Sequence, residues 1–164
     1  MNVLHHTFKF RTAGEWQDVS TIELFKDKKV VLFGLPGAFT PTCSSKQLPG
    51  YEESYNKFKE LGIDEVYCIS VNDAFVMNAW ADAQGIEKVK MIPDGCGTFT
   101  RSLGMLVNKP KQGFGLRSWR YSMIIDNEII TYLAEEPGIN NFSNDSDPYV
   151  ESTPEKIISY LEKE

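Results

Sequence analysis

Cys43 is the residue of this sequence with the most chemistry around it. The run Pro36-Gly37-Ala38-Phe39-Thr40-Pro41-Thr42-Cys43 sets a thiol just beyond a Thr-Pro pair. A free cysteine is mostly protonated at neutral pH, so one that acts as a nucleophile needs its thiolate stabilised by its surroundings. Thr40 followed by Pro41 has the form of a helix N-cap and first helical residue. Cys43 then falls in a first turn, where backbone N–H groups are unpaired and the helix dipole is positive. A terminal dipole contributes about 0.3–1 kcal/mol, whereas each tenfold gain in thiolate needs roughly 1.4 kcal/mol. A nearby cation must supply the rest.

The segment Arg117-Ser118-Trp119-Arg120-Tyr121-Ser122 offers two candidates. On a strand, alternation sends Arg120 and Ser122 to one face and Trp119 and Tyr121 to the other. Arg120 is the preferred partner and Arg117 the substitute. A guanidinium is always charged and has several donors. It can hold a thiolate and also an oxygen that gains negative charge as a bond breaks. Thr40 is close enough for its hydroxyl to reach the thiolate, and Pro36 would wall the pocket against water. A dithiol exchange cycle at this site would need a second cysteine where Thr40 stands.

These residues need a scaffold. Lys29 to Leu35 reads as a strand buried on both faces. A helix follows it, with a kink expected near Pro49. Glu65 to Val71 reads as a second strand, and Asp73 caps a helix running to Gly85. A third strand is expected at Val89 to Ile92 and a short helix from Thr98 to Leu103. Trp119 to Ile125 and Glu128 to Leu133 form an antiparallel pair turning at Asp126-Asn127. Ser152-Thr153-Pro154-Glu155 carries a capping-box signature for a last helix, and Gly138 to Tyr149 reads as a mobile loop. The sum is an α/β fold of thioredoxin-like type, a central mixed sheet flanked by helices, in a single domain over residues 1–164.

Composition narrows the function further. With 41% hydrophobic and 24% charged residues the chain is an ordinary globular protein, and a net charge of −6 opposes nucleic-acid binding. No apolar run approaches a membrane span, and the first residues lack the pattern of a signal peptide. A cytoplasmic protein is expected. Cys43, Cys68 and Cys96 are odd in number and widely spaced, which suits free thiols and gives neither a disulfide framework nor a zinc site. No cofactor or metal is expected. Gly113-Phe114-Gly115-Leu116-Arg117-Ser118 lacks the last glycine of a dinucleotide loop and precedes a strand.

Pro36-x-x-x-Thr40-x-x-Cys43 resembles the peroxiredoxin active-site motif. The fuller text is Leu35 to Ser44, then Ser70-Val71-Asn72-Asp73-x-Phe75-Val76-Met77-x-Ala79-Trp80, then Arg117-x-x-Arg120-Tyr121. Together these are similar to the type II, or peroxiredoxin 5, subfamily. The resemblance implies Cys43 as the peroxidatic cysteine passing through a sulfenic acid, Thr40 and Arg120 as its partners, Pro36 as the pocket proline, and a homodimer. It implies reduction of hydrogen peroxide and alkyl hydroperoxides, with glutathione and a separate glutaredoxin as the source of electrons.

The second half of such a cycle has more than one reading. Animal relatives carry a resolving cysteine before the last helix, and Glu136 to Thr153 has none. Plant relatives have a cysteine where Cys68 stands, so an alternative is a two-cysteine cycle with Cys68 as resolving thiol and thioredoxin as reductant. Its apolar neighbours Val66, Tyr67, Ile69 and Val71 place it in a buried strand that would have to open. A third reading is a redox-sensing binding module that uses Cys43 as a switch. Phe39, Phe75 and Trp119 read either as core aromatics or as an apolar patch at the pocket mouth, and Cys96 as an exposed, oxidisable thiol.

Overall fold

The structure, a computed structural model, describes residues 1–164. The chain opens with a hairpin of β1 (Thr7–Thr12) and β2 (Glu15–Ser20). Helix α1 (Thr21–Phe25) follows, with Ser20 and Glu23 capping its start reciprocally. After β3 (Lys29–Gly34) a helical stretch holds a π segment, Cys43–Gln47, then α2 (Leu48–Glu53) and α3 (Tyr55–Glu60). Next come β4 (Glu65–Ser70), α4 (Ala74–Gln84), β5 (Lys90–Pro93) and α5 (Thr98–Ser102). The chain closes with the ribbon β6 (Leu106–Lys109) and β7 (Gly115–Ser118), the hairpin β8 (Tyr121–Asp126) and β9 (Ile129–Glu135), and α6 (Pro154–Glu162).

The main sheet runs β5-β4-β3-β8-β9, with β3, β4 and β5 parallel and β8 and β9 antiparallel. This is the mixed sheet of a thioredoxin-like fold. Alternation along its buried strands makes two cores. Val31 and Phe33 of β3 pack with Cys43, Tyr51, Phe58, Met77, Trp80 and Ile157, which puts α2, α3, α4 and α6 on one face. Val30 and Leu32 pack with Phe8, Phe25, Phe99 and Trp119 on the other. The same alternation divides Cys68 from its neighbours Tyr67 and Ile69.

Four details differ from the sequence expectation. The helix after β3 is broken as well as bent. Pro49 cannot donate to Ser45, and the turn before it widens so that Leu48 N–H bonds to Cys43 O, giving the π segment, while Ser54 separates α2 from α3. The expected Ser152–Glu155 capping box does not form. Thr153 caps α6 instead, accepting from Lys156 N–H, because Ser152 is buried and donates its hydroxyl to Glu136. β8 begins at Tyr121, one residue after Arg120, and its hairpin turns on Asn127 and Glu128, both at positive φ. The N-terminal hairpin and the β6–β7 ribbon were not expected.

Candidate active site

The active-site loop starts where β3 ends. Gly34 lies opposite Tyr121, and a Cβ there would collide with the tyrosine ring. Past Leu35 the chain turns through Pro36 to Phe39, held from the end of β4. Ala38 N–H donates to Asn72 Oδ1 at 3.0 Å, and Ser70 Oγ donates to the same oxygen at 2.7 Å. Phe39 takes a left-handed φ of 63°, an uncommon setting for a bulky residue, before the helix begins at Pro41. Thr40 stands at the expected cap position, with Ser44 N–H bonded to its carbonyl at 3.0 Å. Its hydroxyl donates to Gly37 O at 2.6 Å, so its proton is committed to the loop and its oxygen is left as an acceptor.

Cys43 is 1% exposed, and the cation that faces it is Arg120. Arg120 Nη1 lies 3.5 Å from Cys43 Sγ and also donates to Gln47 Oε1, while Nη2 pairs with Asp147. The guanidinium is 3% exposed and lies under the Tyr149 ring, 5.7 Å from its centroid. Burial opposes its charge, but the sulfur of Cys43 and the carboxylate of Asp147 outweigh that and hold its pKa above the ordinary arginine value. Its Nε–H is buried with no partner. A buried donor without an acceptor is costly, and here it belongs to a residue that lines a cavity. Arg117 points elsewhere, with Nε donating to Phe114 O at 3.1 Å and Nη1 at 3.5 Å from Pro36 O. It braces the loop.

The cavity measures about 450 Å³ and includes Pro36, Thr40, Pro41, Phe114, Trp119 and Arg120 in its walls. Three of the sequence-derived residues, Pro36, Thr40 and Arg120, thus meet there, with Cys43 in contact through Arg120. One further wall is the segment after β9. Asp145 forms an ion pair with the buried Lys109, whose ammonium lies 4.6 Å from the Trp119 ring centroid, and Pro148 follows Asp147 in the lining. At the base of this segment Glu136, fully buried, accepts from Val150, Glu151 and Ser152 N–H and from the Ser152 hydroxyl. The segment expected to be a mobile loop is therefore a strap tied at both its base and its tip.

Cys68 is fully buried in the same apolar cluster as Cys43. Burial, and after it the proximity of Cys43, pushes its thiol well above the ordinary range. All three cysteines are free, and Cys96 is exposed. Trp119 belongs to the core and lines the cavity, whereas Phe39 and Phe75 are more than half exposed. Gln47, Asp147, Lys109 and Asp145 were missed from sequence. Gln47 had a signal, being one helical turn beyond Cys43, but the aspartates lie in a polar loop with no periodicity to point them anywhere. No cluster of three or more His, Cys, Asp or Glu side chains is placed to hold a metal, and no helix is long and apolar enough to cross a membrane.

Comparison with known proteins identifies the family and the fold. The Redoxin family matches residues 5–149. A peroxiredoxin of Sinorhizobium fredii is 53% identical over 146 residues, covering 89% of this chain and 77% of that protein. The crystal structure of the Plasmodium falciparum antioxidant protein, described as a 1-Cys peroxiredoxin, superposes with a TM-score of 0.94 at 36% identity, covering 100% of this chain and 99% of its own. Reduced Prx3 from Vibrio vulnificus, in complex with hydrogen peroxide, gives 0.88 at 40% identity, covering 98% and 96%.

Proposed function

The chain belongs to the peroxiredoxin family, whose members are thiol peroxidases, and from that membership we propose that Cys43 is the thiol that attacks the peroxide. The Cys43 thiolate attacks one oxygen of hydrogen peroxide or an alkyl hydroperoxide and breaks the O–O bond, with hydroxide or alkoxide as the leaving group. An S–O bond forms, the sulfur is oxidised to a sulfenic acid, and the leaving oxygen takes a proton to become water or an alcohol. Arg120 holds the thiolate before attack and the oxygen that gains charge during it. Thr40 accepts from the peroxide O–H, and Pro36 keeps water from the inner wall. The observation that carries this reading is the position of Arg120, buried against the sulfur with one donor unpaired. Steady-state peroxide consumption tests it. Cys43→Ser is expected to be inactive in a folded protein, and retained turnover would overturn the assignment.

The sulfenic acid must then be reduced. We assign that step to glutathione, whose thiol displaces water to give a mixed disulfide, followed by a separate glutaredoxin that releases Cys43 as a thiol. Full burial of Cys68 and its raised pKa weigh against its acting as resolving thiol without local opening of β4. The single-cysteine description of the structural neighbour from Plasmodium falciparum supports the same choice. Sustained turnover separates this cycle from a redox-sensing module, which would stop after one oxidation. Three free thiols suit the cytoplasm. The exposed ring of Phe75, with Trp16 packed on it at 5.4 Å, supports a homodimer through this face. Sedimentation of wild type against Phe75→Asp tests that, a monomer in both cases contradicting it.

A further inference from the structure

Hydrogen peroxide has the bulk of about two water molecules, roughly 60 Å³. The cavity beside Arg120 measures about 450 Å³, within the range of roughly 300–1,000 Å³ usual for small-molecule sites. The rings of Pro36, Pro41, Phe114, Trp119 and Pro148 line the extra space, which suits the organic part of a hydroperoxide. Two cations also reach the lining, Arg120 and Lys109, and the strap sets a carboxylate on each. Asp147, half exposed, pairs with Nη2 of Arg120. Asp145 pairs with the ammonium of the buried Lys109, which also lies against the Trp119 ring. The formal charges of the lining therefore cancel.

The donors left over are few. Nη1 of Arg120 faces Cys43 and Gln47, Nη2 faces Asp147, and Nε alone among its nitrogens has no partner. A single N–H serves one peroxide oxygen. A carboxylate is held best by two parallel N–H bonds, and the fork that would supply them is occupied. Arg117, the next cation, is turned to the carbonyls of Phe114 and Pro36 and is not in the lining. A substrate carboxylate entering this cavity would leave water, meet apolar rings and lie near Asp147, with no free cation to receive it.

We propose that Asp147 and Asp145 are specificity-determining residues, which close the two cations of the cavity to anions and so select neutral hydroperoxides with an apolar substituent over hydroperoxides that carry a carboxylate. The proposal rests on the reading of Cys43 as the reacting thiol and adds the charge class of its substrate.

The test compares cumene hydroperoxide with its para-carboxylate, two probes that differ by one charged group. Single-turnover oxidation of Cys43 is followed by tryptophan fluorescence at neutral pH for wild type, Asp147→Asn and Asp145→Asn. The ratio of the two rate constants is divided by the ratio that the same pair gives with 2-mercaptoethanol, an uncharged thiol, which removes their intrinsic difference. Any loss of Arg120 alignment in a variant slows both probes and cancels in the ratio. Wild type is expected to favour the neutral probe by about tenfold or more, and Asp147→Asn to lower that preference at least about fivefold, the size of one charge–charge contact screened as in water. Equal rates with both probes in wild type, or a preference unchanged in folded Asp147→Asn, would overturn the proposal. Should Asp147→Asn fail to fold, Asp145→Asn decides by the same criterion. If neither probe nor hydrogen peroxide oxidises Cys43 in wild type, it is the functional reading that fails, and the proposal with it.

Discussion

Arg120 has a directional task that charge alone does not perform. One guanidinium reaches Cys43, Gln47 and Asp147 at once, through nitrogens at fixed angles in a plane. A lysine ammonium at the same position has the charge but cannot span those three acceptors. Arg120→Lys should lower the second-order rate constant for peroxide by about ten- to a hundredfold, since a charge-assisted hydrogen bond contributes about 1.5–3 kcal/mol and each tenfold is about 1.4. Stopped-flow mixing with hydrogen peroxide measures this, and a rate within a factor of two of wild type would remove the fork from the mechanism. Cys68 illustrates the opposite case. It shares a cluster with Cys43 but has no cation, no cavity and no exposure, and burial holds it as a neutral thiol. On the function proposed above, placement alone makes Cys43 the reacting thiol and leaves Cys68 a packing one.

At the scale of elements, the π segment and the strap both aim side chains. Pro49 forces the helix to widen just where Cys43 and Gln47 lie, and frequent use of such segments at functional sites has this geometric basis. The strap brings Asp147 and Pro148 to the cavity, and the Lys109–Asp145 pair ties its tip. Partial burial raises the Asp145 pKa, but the hydrogen bond from Lys109, the Asp147 N–H and the charge of Lys109 together hold it below the ordinary carboxylate value. A carboxyl depressed in the folded state adds stability in full above its unfolded pKa, about 3.9, and that stability is lost as pH falls through the lower folded value. Wild type should therefore lose stability on acidification below about pH 4 with a component that Asp145→Asn lacks. Urea unfolding at a series of pH values checks this. An identical acid slope in the two proteins would show that the pair contributes nothing to holding the strap.

Across the whole molecule, what could be read from sequence followed from how local each signal is. The site motif was legible because Pro36, Thr40 and Cys43 lie within one loop and one helical turn. Arg120 lies one residue before β8, yet it meets Cys43 on the face where the Ser122 hydroxyl meets the buried Tyr51, as the alternation expected for that segment required. The central strands announced themselves as apolar runs, since both faces of the sheet are covered. The N-terminal hairpin was hidden for the converse reason. Glu15, Trp16, Gln17 and Asp18 of β2 are all exposed, and its turn places Ala13 at positive φ, where sequence gives no hint of it. Capping of α6 was misread by one residue because Glu136, distant in sequence, claims Ser152. The ties of the strap leave no periodic trace in the sequence, because its ion pairs join residues 36 and 27 positions apart.

The central claim, that Cys43 alone carries the oxidation while the other two thiols are bystanders, is tested most directly by locating the sulfenic acid. The Cys68→Ser, Cys96→Ser double variant and wild type are reduced, mixed with one equivalent of hydrogen peroxide, trapped with dimedone and mapped by peptide mass spectrometry, with the oxidation rate recorded alongside. The account predicts label on Cys43 in both proteins and equal rates. Label on Cys68 or Cys96, or a rate that collapses in a folded double variant, would contradict it.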